Sequence, residues 1–267
     1  MSRIEEAFNK GDSPLLIACT VAGDPTPELS LEVILSMIES GADMIELIIP
    51  NTNPVADGPV ISRAHERAIR GGIGIEGVFS LIGAIRRKSD IPICLMTYAN
   101  PAIVRGEAKF LSDAAAAGAD GILIVDMPPE EGGLLISQKK IDPIFIIAPN
   151  TPPERREMIG GIGRGFLYLV SAPGVTGTRQ HLPDDLGDRV LEVKKSTVLP
   201  VAVGFGIGSA ETAHEAAAAG ADAVIAGSVI SGAIERNPDY PALFVGEAVR
   251  EIRSGIARHR SSRSAGQ

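Results

Sequence analysis

Glu46 sits inside the apolar run Ile45-Glu46-Leu47-Ile48-Ile49, with no lysine or arginine nearby in sequence. An ionised carboxylate is costly to bury in such a run unless it is paired or faces a cavity. Burial raises a carboxyl pKa, which suits a group that must shuttle a proton near neutral pH. Asp57 follows eleven residues later, in the Pro-, Asn- and Gly-rich segment Pro50 to Pro59. Alone, Asp57-Gly58 also reads as a turn dipeptide. Together, two carboxylates from one strand-and-loop unit can converge on one substrate, one as acid/base and one as hydrogen-bond acceptor. A second kind of chemistry is suggested further on. Gly204, Gly206 and Gly208 follow one apolar run and Gly227-Ser228 follows the next. Such turns let backbone N–H groups approach an anion at a helix start, so they point to a phosphate monoester. Thr176, between Gly174 and Gly177, suits a loop that approaches a ligand or closes over it.

Other chemistries find no support. The histidines (His65, His181, His214, His259) lack metal-binding spacing, and two cysteines are too few for a disulfide scaffold or a Cys-only metal site. Cys19 and Cys94 lie in apolar runs and read as buried thiols. No G-x-S-x-G nucleophile elbow occurs, and no lysine lies in a strand-like run to form a Schiff base. A net charge of −8 makes nucleic acid a poor partner. Without a long apolar run or a cleavable leader, neither membrane nor export is expected, and a cytoplasmic location is the default.

The elements that must position these residues are legible as apolar runs. They are Leu15 to Thr20, Met44 to Ile49, Ile93 to Thr97, Gly121 to Val125, Ile144 to Ala148, Phe166 to Val170, Val201 to Phe205 and Ala223 to Ala226. They are apolar throughout rather than alternating, as parallel strands covered on both faces must be. Helix-like segments lie between them, including Pro27 to Ser40, Ile61 to Arg70, Val78 to Lys88, Ala108 to Ala117 and Ala210 to Ala219. Ser209 with Thr212 reads as a helix start. The triplet Gly-Ala-Asp recurs at Gly41, Gly118 and Gly220, each between a helix and a strand, with glycine as the helix stop. Eight such units predict one α/β domain, a closed (β/α)₈ TIM barrel over 1–255, with the active site at the C-terminal ends of the strands. An open doubly wound sheet is the competing architecture. A basic stretch, 256–267, is expected to be a flexible tail.

With 45% hydrophobic residues but only 4% aromatic and no Trp, the core must be aliphatic.

The residues at the strand ends resemble those of the tryptophan synthase α subunit family. The matches are Ala22-Gly23-Asp24-Pro25, Ile45-Glu46-Leu47, Pro54-Val55-Ala56-Asp57-Gly58-Pro59, Leu95 through Pro101, Asp126 through Glu131, Gly174-Val175-Thr176-Gly177 and Val203 through Ile207. The resemblance implies a barrel that cleaves indole-3-glycerol phosphate to indole and glyceraldehyde 3-phosphate with no metal or organic cofactor of its own. Pyridoxal phosphate would belong to a β subunit, with which the chain would form an α₂β₂ tetramer. It further implies that Glu46 and Asp57 are catalytic: Glu46 protonates indole C3 and assists removal of the glycerol hydroxyl proton, and Asp57 accepts the indole N–H. Tyr98, Tyr168 and Thr176 are expected to bind substrate, and Gly177, Gly206, Gly227 and Ser228 to bind its phosphate.

The chain departs from the family pattern at several places. Ile48 replaces a small residue, Asn51 an aromatic one and Asn53 an aspartate, and Ala172-Pro173 stands where an arginine precedes the glycine loop. Cys19 replaces a bulky apolar residue. The losses at Asn53 and Ala172 predict weakened communication with a β subunit, and Ile48 and Cys19 a reshaped indole pocket. Ile48 and Asn51 also leave room for a barrel lyase or isomerase of another phosphorylated substrate, and a third reading is a non-catalytic partner that binds phosphate ligands and regulates a β subunit. Retention of both carboxylates speaks against the latter.

Overall fold

The computed structural model describes residues 1–10, 14–171, 174 and 176–264, the side chains of 259–264 excepted. Ala172 and Pro173 lie outside the described residues, as does the end of the expected tail. After α1 (Arg3–Lys10) the chain alternates strands with helices. In order these are β1 (Leu15–Val21), α2 (Pro27–Glu39), β2 (Met44–Ile48), α3 (Pro59–Arg70), α4 (Ile75–Arg86) and β3 (Ile93–Thr97). Then come α5 (Ala99–Arg105), α6 (Glu107–Ala117), β4 (Gly121–Ile124), α7 (Gly133–Ser137), β5 (Asp142–Pro143), β6 (Phe145–Ile147) and α8 (Pro153–Ile162). The last are β7 (Leu167–Val170), α9 (Leu186–Lys195), β8 (Val201–Gly204), α10 (Ala210–Ala218), β9 (Ala223–Ala226), α11 (Ser228–Arg236) and α12 (Pro241–Ser264). The backbone of α12 thus continues through most of the stretch set apart above as a tail.

All the strands are parallel, in the order β5-β4-β3-β2-β1-β9-β8-β7-β6. Only Ile144 separates β5 from β6. The first pairs with β4 and the second with β7, so together they form one stave that closes the ring. The sequence placed this stave at Ile144 to Ala148. It starts earlier, at Asp142, whose N–H reaches Asp120 O, and it exchanges β4 for β7 around Ile144. The Ile144 N–H still reaches Ile122 O on β4, while Pro143 O already accepts from Arg164 N, just before β7. Nine segments therefore make eight staves.

Strand residues alternate between two cores. Leu16, Ala18, Ile45, Leu47 and Leu95 face the helices, and Ile17, Cys19, Met44, Ile48 and Met96 face the barrel axis. At the N-terminal mouth α1 forms a plug. Ile4 is fully buried, in space left by the missing side chains of Gly121 and Gly165, and the Phe8 ring lies 5.9 Å from that of Phe166.

The repeated Gly-Ala-Asp has a clear physical meaning. Gly41, Gly118 and Gly220 adopt φ of 104°, 107° and 89°, a left-handed conformation that glycine takes without a Cβ clash. The aspartate that follows clips the neighbouring stave at two points. Asp43, Asp120 and Asp222 donate their N–H to the carbonyls of Leu16, Ile93 and Val201. Their carboxylates accept the N–H of those same residues, each at 2.8 Å. Each aspartate also meets a cation: Arg253, Arg86 and Lys194 respectively. The expected start at Ser209 is a reciprocal capping box with Thr212.

Candidate active site

The inward alternation of β2 turns Glu46 toward the barrel axis, in register with Cys19 on β1 and Cys94 on β3. Glu46 is 2% exposed, and its Oε1 has no hydrogen-bond partner. Burial raises its pKa from 4.5 to about 7. The nearby charge of Asp57 adds to that rise, and a hydrogen bond from the Cys19 thiol opposes it. The carboxyl is thus poised to give and take a proton near neutral pH.

Asp57 is carried by the loop between β2 and α3 and is also buried. Its Oδ2 accepts from the Tyr98 hydroxyl at 2.7 Å and lies 3.2 Å from His65 Nε2. Its Oδ1 has no partner. The loop is fastened on either side of the carboxylate. Ala56 N–H donates to the Tyr98 hydroxyl, and Gly58 N–H donates to Thr176 Oγ1 at 2.7 Å. Thr176 N–H returns a bond to Ala56 O.

Glu46 and Asp57 line the same cavity, of about 540 Å³ counted out to its open mouth. Tyr168, Thr176, Gly177, Gly206, Gly227 and Ser228 line it too, with Cys19 and Ile48 on its apolar wall. Tyr98 is placed differently: it stands behind Asp57, its hydroxyl occupied by that carboxylate. The Tyr168 ring packs edge-on against Phe205, 6.1 Å between centroids at 86°. Gly204 makes room for it, since a Cβ there would fall within the ring and its hydroxyl.

Beside Cys19, α11 begins at Ser228 with Gly227 as its N-cap. First-turn N–H groups of a helix have no partner within it, so they suit an anion. The Gly206 N–H donates to Gly177 O at 2.9 Å, which joins the glycine loop to the turn after β8. Phe205 and Gly206 both take positive φ, 70° and 90°. The strained Phe205 is held there by the Ser171 hydroxyl, which donates to its carbonyl.

Sequence reasoning missed Phe205 and His65. A phenylalanine between glycines gives no sign of positive φ, and a histidine without metal spacing gives no sign that it faces a carboxylate eight residues back. Among the described residues, no group of three or more His, Cys, Asp or Glu could hold a metal ion, and no single helix is long and apolar enough to cross a membrane.

Residues 6–254 match the family model described as tryptophan synthase alpha chain. The tryptophan synthase alpha chain of Nitrosococcus oceani is 40% identical, over 96% of this chain and 98% of that protein. Among solved structures, the Mycobacterium tuberculosis tryptophan synthase superposes with a TM-score of 0.88 at 32% identity, covering 96% of this chain and 98% of that one. A chain of the Pyrococcus furiosus tryptophan synthase complex gives 0.82 at 33% identity, over 90% of this chain and 98% of that one.

Proposed function

We propose that Glu46 and Asp57 together carry the chemistry of this chain, which belongs to the tryptophan synthase alpha chain family. The chain is a lyase of tryptophan biosynthesis: it catalyses the alpha reaction, the cleavage of indole-3-glycerol phosphate to indole and glyceraldehyde 3-phosphate. Protonated Glu46 delivers its proton to indole C3, which leaves positive charge on the ring nitrogen. Asp57 accepts the indole N–H and stabilises that charge. The ionised Glu46 then takes the proton of the glycerol hydroxyl next to the ring. The C–C bond breaks, its electrons return to the ring, and the hydroxyl carbon leaves as the aldehyde. Glu46 ends as it began, protonated, so no proton is consumed.

The observation that carries this assignment is that each carboxylate in the cavity keeps one oxygen without a partner, Glu46 Oε1 and Asp57 Oδ1. The two carboxyls supply both the proton and the counter-charge, so the cleavage requires no cofactor. Pyridoxal phosphate belongs to the β subunit. Gly227 and Ser228 at the start of α11 hold the phosphate, with Gly177 and Gly206 closing that wall. Thr176 and Tyr168 flank the ring, and Tyr98 serves the substrate through Asp57. The partner is a tryptophan synthase β subunit in an α₂β₂ assembly, in the cytoplasm. Val55, Ile103 and Val104 expose apolar side chains on segments that follow β2 and β3, at the same end as the site. Exposed apolar side chains at that end favour docking of a protein there. The test is indole release from indole-3-glycerol phosphate. Glu46→Gln keeps the shape and loses the proton transfer, so turnover should fall about 10²–10⁴-fold. Equal turnover would remove Glu46 from the mechanism.

A further inference from the structure

His65 lies on the buried face of α3, between Ile61 and Ala68, and is 1% exposed. Its Nδ1 accepts the backbone N–H of Asn51 at 2.9 Å. A backbone N–H can only donate, so Nδ1 carries no proton and the single proton of the neutral ring is on Nε2. That proton is the one directed at Asp57 Oδ2, 3.2 Å away. Together with the Tyr98 hydroxyl, it gives Oδ2 two donors and leaves Oδ1 none. Two donors on one oxygen fix the plane of the carboxylate, and the oxygen left over is the one free to meet a ligand N–H.

We propose that His65 is a positioning residue. Its neutral ring, locked in one tautomer by the Asn51 backbone, orients the Asp57 carboxylate toward the indole nitrogen of the substrate. The inference rests on the reading of Asp57 given above and extends it to a residue outside the cavity. It also makes one side chain span the loop between β2 and α3, holding its backbone at Asn51 and its carboxylate at Asp57.

The two bonds can be removed one at a time. The amide of Asn falls near the place of Nδ1, so His65→Asn can keep the bond to Asn51 but does not reach Asp57. The amide of Gln falls near Nε2, so His65→Gln can donate to Asp57 and gives up the tie to Asn51. Each variant is assayed for kcat and KM in indole release and for unfolding midpoint, beside Asp57→Ala. A charge-assisted hydrogen bond lost from a carboxylate that acts on a charged intermediate should lower kcat of His65→Asn roughly 10-fold or more. KM should move less than threefold, and His65→Gln should recover to within about threefold of the parent. The reverse order, with His65→Asn active and His65→Gln impaired, would show that the ring merely braces the loop. Equal kcat in both variants would likewise overturn the proposal. If Asp57→Ala is inactive while His65→Asn is not, only the role of His65 fails. A fully active Asp57→Ala would overturn both readings.

Discussion

Glu46→Gln should stabilise the protein in alkaline solution and not in acid. The carboxyl of Glu46 has a pKa of about 7 in the folded protein, chiefly because burial disfavours its charge, against 4.5 in the unfolded chain. Below pH 4.5 it is protonated in both states. Between 4.5 and 7 the unfolded chain gives up its proton while the folded one retains it, so stability falls as pH rises. Above 7 both are ionised and the whole difference stands against the fold. At 1.36 kcal/mol per pH unit it amounts to about 3 kcal/mol. Gln has the size of the protonated acid and does not titrate, so it escapes this loss. Urea unfolding of parent and variant, measured from pH 4.5 to 8.5, isolates the effect because the other ionisable groups are common to both. The gap between the two stabilities should move by about 3 kcal/mol in favour of the variant, most of it between pH 5 and 7. Curves that stay parallel across the range would refute the argument that burial sets the proton affinity of Glu46.

The proposed mechanism ties the rate to the same pKa. If the first step needs protonated Glu46, kcat/KM should decline as pH rises above about 7, and a profile flat from pH 6 to 9 would contradict it. Gly204→Ala places a Cβ within the Tyr168 ring. The tyrosine must move, so activity should fall and stability drop by about 1–3 kcal/mol, both readable from steady-state kinetics and a thermal melt. Gly206→Ala sets a Cβ 3.0 Å from Arg179 and Leu182 at a positive φ and disturbs the turn whose N–H ties it to Gly177. If that turn helps to hold the phosphate, calorimetry with glycerol phosphate should show weaker binding than for the parent, and unchanged affinity would place the anchor elsewhere. Finally, Asn53 is exposed, and its N–H bonds to Asn51 Oδ1. It can form no ion pair, so a β subunit should raise indole release by less than the tenfold or more that coupling of about 1–3 kcal/mol commonly brings, as seen by titrating one into the assay.

What could be read in advance follows from how local each cause is. Glu46 stood out because a carboxylate among Ile45, Leu47 and Ile48 has few places to go other than a cavity. The strands were legible because residues covered on both sides leave continuous apolar runs, and Ile93 to Thr97 and Ala223 to Ala226 match to the residue. The stave split at Ile144 was not legible, since the exchange of partners from β4 to β7 depends on a strand met only after the chain has travelled round the ring. The place of Tyr98 behind Asp57, and His65 altogether, were hidden for a related reason. Their polar atoms are oriented by Asp57 and by the backbone at Ala56 and Asn51, and no spacing along the chain records such a meeting. The aspartate of Gly-Ala-Asp stood in view as a repeat, but its clip to the next stave required the sheet order.

The plug formed by α1 makes the barrel a vessel with a floor. Ile4 and Phe8 fill the N-terminal mouth, so traffic to and from Glu46 and Asp57 must use the rim at the C-terminal ends of the strands. A single doorway imposes an order: a new substrate cannot enter until both products have gone. Indole, small and uncharged, meets the packed side chains of Ile4 and Phe8, among the described residues, at the strand starts. A subunit seated on the rim would therefore receive whatever leaves. Custody of the product would then pass to such a subunit by the geometry of the vessel.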